Sequence, residues 1–220
     1  MTEHTIQNKV TRMGRCWLLA CGLIATLLPA AANAQFTAAD YNNLGVKLES
    51  QGLLDEAIGQ YRAALRLDPV DVFAHSNLGN ALARKGQLDE AITELRGALR
   101  IRPGNSGDHD TLGFVLNRKG DLDGAIQEQR EAVRLDPTNL NAHYNLGVVL
   151  RKKGDWDGAI AESRAAVRLN PKDSVSHVSL GNALEGKGDN SAALSEYRLA
   201  LELDPQSEVA RINLDNLTKR

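Results

Sequence analysis

Cysteine is almost absent from this chain of 220 residues: only Cys16 and Cys21 occur, both among the first 34 positions. Beyond residue 34 no disulfide can form and no thiol can serve as nucleophile or metal ligand, so stability there has to come from packing. No segment alternates apolar and polar residues in the way of a half-buried strand. A glycine-rich phosphate cradle and a paired metal-ligand motif are both missing, which leaves catalytic residues, metal and cofactor without candidates. Charge of one sign is not in excess either. Lys and Arg number 26 against 28 Asp and Glu, a formal net charge of −2, and a weakly acidic chain is a poor partner for nucleic acid.

The first 34 residues differ from the rest. Lys9, Arg12 and Arg15 form a basic head, Cys16 to Leu28 is a nearly unbroken apolar run, Pro29 breaks it, and Ala32-Asn33-Ala34 supplies a small-x-small site before Gln35. This is the layout of a secretory signal (residues 1–34), expected to be cleaved after Ala34. Two other readings stand beside it. Residues 16–34 could stay as a membrane anchor, although the run is short for a comfortable span. Leu18-Leu19-Ala20-Cys21 faintly resembles a lipoprotein box, with little apolar sequence ahead of it. Loss of Lys9, Arg12, Arg15 and Glu3 with the signal moves the formal charge from −2 to −4.

After a short lead, residues 35–37, the chain repeats itself every 34 residues. Glycines stand at Gly45, Gly79, Gly113, Gly147 and Gly181, and again at Gly52, Gly86, Gly120, Gly154 and Gly188. Alanines follow at Ala57, Ala91, Ala125, Ala159 and Ala193, and prolines at Pro69, Pro103, Pro137, Pro171 and Pro205. The units are 38–71, 72–105, 106–139, 140–173 and 174–207, and residues 208–220 form one further helix that caps the array. Self-similarity of this length marks a stacked solenoid, in which each unit touches only its neighbours.

Each unit reads as a helical hairpin. Thr37, Asp71, Asn105, Asn139, Asp173 and Ser207 precede the first helices and are all good N-caps. In the second unit Phe73, Asn77, Leu78 and Leu82 run at helical spacing, Arg84-Lys85 meets the negative end of the dipole, and Gly86 supplies a left-handed stop. Leu88, Ala91, Ile92, Leu95, Ala98 and Leu99 then give the second helix its apolar stripe, ended by Pro103. The glycines at Gly79 and its counterparts fall inside the first helix, where glycine is worse than alanine by about 1 kcal/mol. Their expected compensation is close approach to the small alanine series of the partner helix.

These residues (Asn77-Leu78-Gly79, Leu82, Gly86, Ala91, Ala98 and Pro103) resemble the tetratricopeptide repeat, and the match spans Ala38 to Ser207 plus the cap. The unit style of Ala142-His143-Tyr144-Asn145-Leu146-Gly147 is similar to the repeats ahead of the catalytic part of eukaryotic protein O-linked N-acetylglucosamine transferases; nothing like that catalytic part is present. The resemblance implies an all-α, right-handed superhelix whose first helices line a concave groove, in a scaffold that holds peptides or partner proteins. The second-helix aromatic of the family stands at Tyr61 and Tyr197 but becomes Leu95, Gln129 and Ser163 in between. Unit three opens weakly with Gly107-Asp108 and is a candidate hinge.

Groove candidates follow from the register. Asn43, Asn77, Asn145 and Asn213 form an amide ladder able to hold a peptide backbone through donor and acceptor together; the alternative is that they bond neighbouring helices. Phe73, Asn80, Phe114, Asn117, Tyr144, Val148 and Asn182 join them as aromatic and amide contacts. Asn42 and Val46 replace the basic clamp that some family members use on a terminal carboxylate. His75, His109, His143 and His177 also recur at 34 residues, but one per unit does not converge on a metal, and packing is expected. Arg84, Lys85, Arg118, Lys119, Arg151, Lys152, Lys153 and Lys187 make a basic rim assigned to helix-end charge. Trp156 is expected between the helices of unit four.

The expectation is an exported, non-enzymatic scaffold, with a periplasmic partner-binding role in envelope assembly, secretion or pilus biogenesis. Self-association into a structural oligomer, or service as the substrate-recruiting subunit of an enzyme complex, stand as alternatives. The expected partner is protein or extended peptide, with no nucleic acid and no small-molecule substrate, and with membrane contact only if the signal is retained.

Overall fold

The computed structural model describes residues 36–219; the signal and its cleavage site lie outside the described residues. Eleven helices follow one another: α1 (Ala38–Ser50), α2 (Leu54–Leu67), α3 (Val72–Lys85), α4 (Leu88–Ile101), α5 (Ser106–Lys119), α6 (Leu122–Leu135), α7 (Leu140–Lys153), α8 (Trp156–Leu169), α9 (Ser174–Lys187), α10 (Asn190–Leu203) and α11 (Glu208–Thr218). There is no strand among the described residues. The architecture is the all-α hairpin stack expected from the repeat.

Local chemistry sets the helix ends. Asp71 accepts from the Phe73 and Ala74 N–H groups, Asn139 from Ala142, Asp173 from Ser176 and Ser207 from Ala210, while Thr37 and Asp40 form a reciprocal capping box. Gly86, Gly120, Gly154 and Gly188 end their helices with φ between 80° and 92°, a backbone that glycine adopts without a Cβ penalty. Asp121, Asp155 and Asp189 cap the second helices of units three to five through their side chains.

The glycine series inside the first helices does not face alanine. A methyl at Gly79 would lie 2.7 Å from Leu95 Cγ, one at Gly113 2.8 Å from Gln129 Cγ, and one at Gly181 would overlap the Tyr197 ring. These three glycines, like Gly45 against Tyr61, are sockets for a large side chain at the family's variable aromatic position, so the alanine contact expected of them is corrected. Only unit four is loose: a methyl at Gly147 would stand 3.3 Å from Ser163 Oγ. Trp156 is likewise corrected. Its ring covers Gly186 on α9 and so bridges units four and five.

The core of the described residues runs along the stack in two large clusters, with a small third one of Val178, Ala200 and Ala210 at the C-terminal end. One extends from Ala57 and Tyr61 to Leu116 and Ala125, with Val149; the other joins Leu146 and Leu150 to Tyr197 and Leu217. Ile126 on α6 packs against both. Unit three also buries polar side chains. Asp108 is buried and accepts from Ser76 Oγ at 2.8 Å and from Asn105 Nδ2 at 2.6 Å. Gln129 is fully buried; its Nε2 donates to the Asp110 carbonyl at 2.9 Å, and its Oε1 has no partner among the described residues. An orphaned buried acceptor costs about 1–3 kcal/mol, and that cost falls on α6, the second helix of unit three.

Two outcomes follow. Gly181→Ala is expected to lower the thermal midpoint through overpacking of about 1–3 kcal/mol, whereas Gly147→Ala leaves it nearly unchanged because helix propensity offsets a small shift of Ser163; thermal unfolding by circular dichroism reads both. Burial, helped by the hydrogen bond to Glu49, pushes the Tyr61 phenol well above its ordinary value of 10.0. A raised folded value means full stability below pH 10 and loss above it, where the unfolded phenol ionises and the buried one resists. Tyr61→Phe should therefore flatten the stability decline measured by urea titration between about pH 10 and 12.

Candidate functional site

Contact between the helices decides which wall faces inward. First helices of neighbouring units touch one another, whereas among the described residues no two second helices do. The stack therefore bends towards its first helices, and α1, α3, α5, α7, α9 and α11 line the inner side.

Two clefts open on that wall. One, of about 320 Å³, lies between α5 and α7 and is lined by Asp110, Thr111, Phe114, Asn141, Tyr144 and Asn145. The next, of about 190 Å³, runs from α7 across α9 to α11 and is lined by Tyr144, Val148, Arg151, Val175, Val178, Ser179, Asn182, Ser207 and Val209. Tyr144 is the wall they share. Val175 and Val209 are 51% and 57% exposed, and the half-buried Arg151 makes no ion pair or hydrogen bond with a described residue.

Of the residues read from the sequence, the clefts bring together Phe114, Tyr144, Asn145, Val148 and Asn182. Asn43, Phe73, Asn77 and Asn80 sit on α1 and α3, outside both. The amide ladder is engaged on its donor side. Asn77 Nδ2 donates to Asn42 Oδ1 at 2.9 Å, Asn145 Nδ2 to Asp110 Oδ1 at 2.8 Å, and Asn213 Nδ2 to Asn182 Oδ1 at 2.8 Å. Asn182 Oδ1 also accepts from the Tyr197 hydroxyl. The reading that these amides bond neighbouring helices is the one the geometry shows; Asn43 alone is exposed with no such bond. Phe73 is 61% exposed beneath the Arg102 guanidinium, and Phe114 lies beside Arg118. Asn117 accepts from Lys152 Nζ.

Sequence reasoning missed Asp110, Asn141, Val175, Val178 and Val209, and read Arg151 only as part of the rim. Their signal was positional: steps of three, four and three residues, as in Asn141, Tyr144, Val148 and Arg151, mark one face of each first helix.

The basic rim is mostly consumed. Lys85, Lys119, Lys153 and Lys187 pair with Asp55, Asp89, Asp123 and Asp157 of the preceding unit, and Arg84 pairs with Glu49. Each histidine joins its own second helix to the end of the unit before it. His143 Nδ1 lies 2.6 Å from Glu162 Oε2 and its Nε2 3.1 Å from the Pro137 carbonyl, and His75, His109 and His177 repeat the pattern. Both ring nitrogens are thus occupied. Among the described residues no group of three or more His, Cys, Asp or Glu is placed to hold a metal, and no helix is long and apolar enough to cross a membrane.

Residues 42–106 and 144–208 match the family model described as tetratricopeptide repeat, and residues 113–153 match one described as TPR repeat. The chain belongs to the tetratricopeptide repeat family. No curated protein matches it in sequence. Among solved structures, this tetratricopeptide solenoid is similar to MamA, at 27% identity over 77% of this chain and 92% of that one, with a TM-score of 0.71. It is similar to YrrB, described as a TPR protein with an unusual peptide-binding site, at 25% identity over 83% and 94%, with a TM-score of 0.72. A thermophilic TPR protein of Thermus thermophilus shares the fold at 24% identity over 84% and 100%, with a TM-score of 0.62.

The ladder separates structure from recognition experimentally. Asn145→Ala strips the Asp110 carboxylate of a donor and is expected to destabilise by about 1 kcal/mol, while Asn43→Ala leaves stability within error; urea unfolding of the two variants checks the difference.

Proposed function

We propose that the protein is a non-catalytic scaffold that holds an extended peptide or a partner protein's segment against its inner wall. The observation that carries this reading is the pair of adjoining clefts with Tyr144 between them. Aliphatic side chains from Val175, Val178 and Val209 offer apolar contact, Tyr144 an amphipathic anchor, and Arg151 an uncommitted donor for a carboxylate or carbonyl. Backbone recognition falls to the amide groups the stack leaves over: the Oδ1 acceptors and the second N–H of Asn77, Asn145 and Asn213, whose first N–H already ties unit to unit. The described peptide-binding site of YrrB supports a peptide ligand for a stack of this kind.

The reading extends to location. The layout of residues 1–34 supports export and work in the periplasm, where an envelope-assembly, secretion or pilus-biogenesis role fits a scaffold stable without disulfides. Self-association has one observation in its favour: α11 ends the array with Val209 and Ile212 more than half exposed, and light scattering across concentrations tests it.

Selection from a random-peptide phage library against the full chain tests the groove. Selected peptides should lose at least about tenfold in affinity to Tyr144→Ala, a residue type prominent among binding hot spots, with helicity unchanged. Peptides that protect the second helices instead in amide exchange, and ignore Tyr144→Ala, would overturn the groove.

A further inference from the structure

The outward stripe of the second helices has a composition the groove does not explain. On α4 it reads Asp89, Thr93, Arg96, Arg100. Arginine pairs four residues apart begin at Arg62, Arg96, Arg130 and Arg164, one on each second helix of units one to four. All eight side chains are exposed. The aspartates of the stripe are neutralised by the lysines of the following unit, which leaves the arginine half net positive. Only Arg62 and Arg134 have acidic partners, Glu90 and Glu131; the other six make no ion pair or hydrogen bond with a described residue.

Helix-end charge accounts for one arginine in each last turn. It does not account for a second arginine one turn earlier, whose effect within the helix is like-charge repulsion at i,i+4. Four units repeat that unfavourable pair, and the fifth replaces it with Arg198 and Glu202. The residue after the second arginine is an exposed aliphatic in three units: Leu67 is 56% exposed, Ile101 39% and Leu169 40%. Cation and aliphatic therefore recur side by side along one edge of the stack.

We propose that this edge docks on the anionic phospholipid surface of a bilayer. The guanidinium forks engage headgroup phosphates, and Leu67, Ile101 and Leu169 rest at the boundary of the acyl chains. A target that is itself periodic suits four identical anion-seeking spots, which a single folded acidic protein does not present. A hydrated polyanion such as nucleic acid is periodic too, but gives the exposed aliphatics nothing to contact. Because the whole chain is weakly acidic, the attraction acts only at close range, inside a screening length of about 10 Å.

The test is co-sedimentation of the full chain with vesicles of about 30% phosphatidylglycerol in phosphatidylcholine, against vesicles of phosphatidylcholine alone. The N-terminal run with its basic head Lys9, Arg12 and Arg15 binds in the same way in every variant, so the readout is the part of the anionic increment that the arginine substitutions remove. An increment of at least about tenfold is expected, lost at high salt and strongly reduced in the combined variant Arg96→Gln, Arg130→Gln, Arg164→Gln, which spares the last-turn arginines. Relief of repulsion should leave that variant melting no lower than the unsubstituted chain. Equal pelleting on the two lipid compositions would overturn the proposal. So would an undiminished increment in the variant, a lower melting point, or capture by soluble polyglutamate with no preference for anionic vesicles. None of these outcomes depends on whether the groove binds peptide.

Discussion

The distance between the two helices of a hairpin is set by one contact, a glycine on the first helix receiving a large side chain from the second. Gly79 with Leu95, Gly113 with Gln129 and Gly181 with Tyr197 show the same socket with different occupants. Because the first helix has no Cβ at that point, the second can lie close enough for alanines such as Ala91 and Ala193 to be completely buried. Everything outward of this contact inherits its geometry: the inner wall, the joints made by the histidines, and the direction in which the next unit can stack.

Stacking adds a second layer of constraint, held by short polar ties that reach from one unit to the next. The Lys–Asp pairs sit on the outside, the asparagine bonds on the inside, and Arg118 reaches the Ala83 carbonyl at 3.0 Å between them. Exposed ion pairs are individually weak, and their effect here is positional. Tied on both sides, neighbouring units are fixed in register, so the clefts are shaped by fixed side chains and not by mobile ones. Rigid presentation of this kind lowers the entropic loss on association.

What the sequence made legible was what depends on neighbours along the chain. Caps at Asp71 or Ser207, left-handed stops at Gly86 or Gly188, and the ends of all the helices could be read because each is decided within a few residues. What it hid was decided across helices. Gly113 was expected to meet alanine and meets Gln129; Trp156 was expected within its own unit and covers Gly186 in the next. For the asparagines two readings stayed open, groove contact or bonds to neighbouring helices, because periodicity shows that a residue recurs on one face but not what stands opposite it. Val175 was missed, and Arg151 left to the rim, for the converse reason: in most units another residue type occupies the equivalent place, Phe73, Gly107 and Asn141 for Val175 and Asn117 and Glu185 for Arg151, so the letter changes although the place recurs.

The polar interior of unit three bears on how the ribbon deforms. In a stack, stability is close to a sum of terms between neighbours, and bending strain collects where those terms are smallest. Gln129 Oε1, the one buried polar side-chain atom with no hydrogen-bond partner among the described residues, marks unit three as such a place, a soft coil among springs in series. The cleft between α5 and α7 spans it. A segment lying from Phe114 to Tyr144 would brace the compliant coil, so that filling a small local cleft changes the flexural rigidity of the whole length.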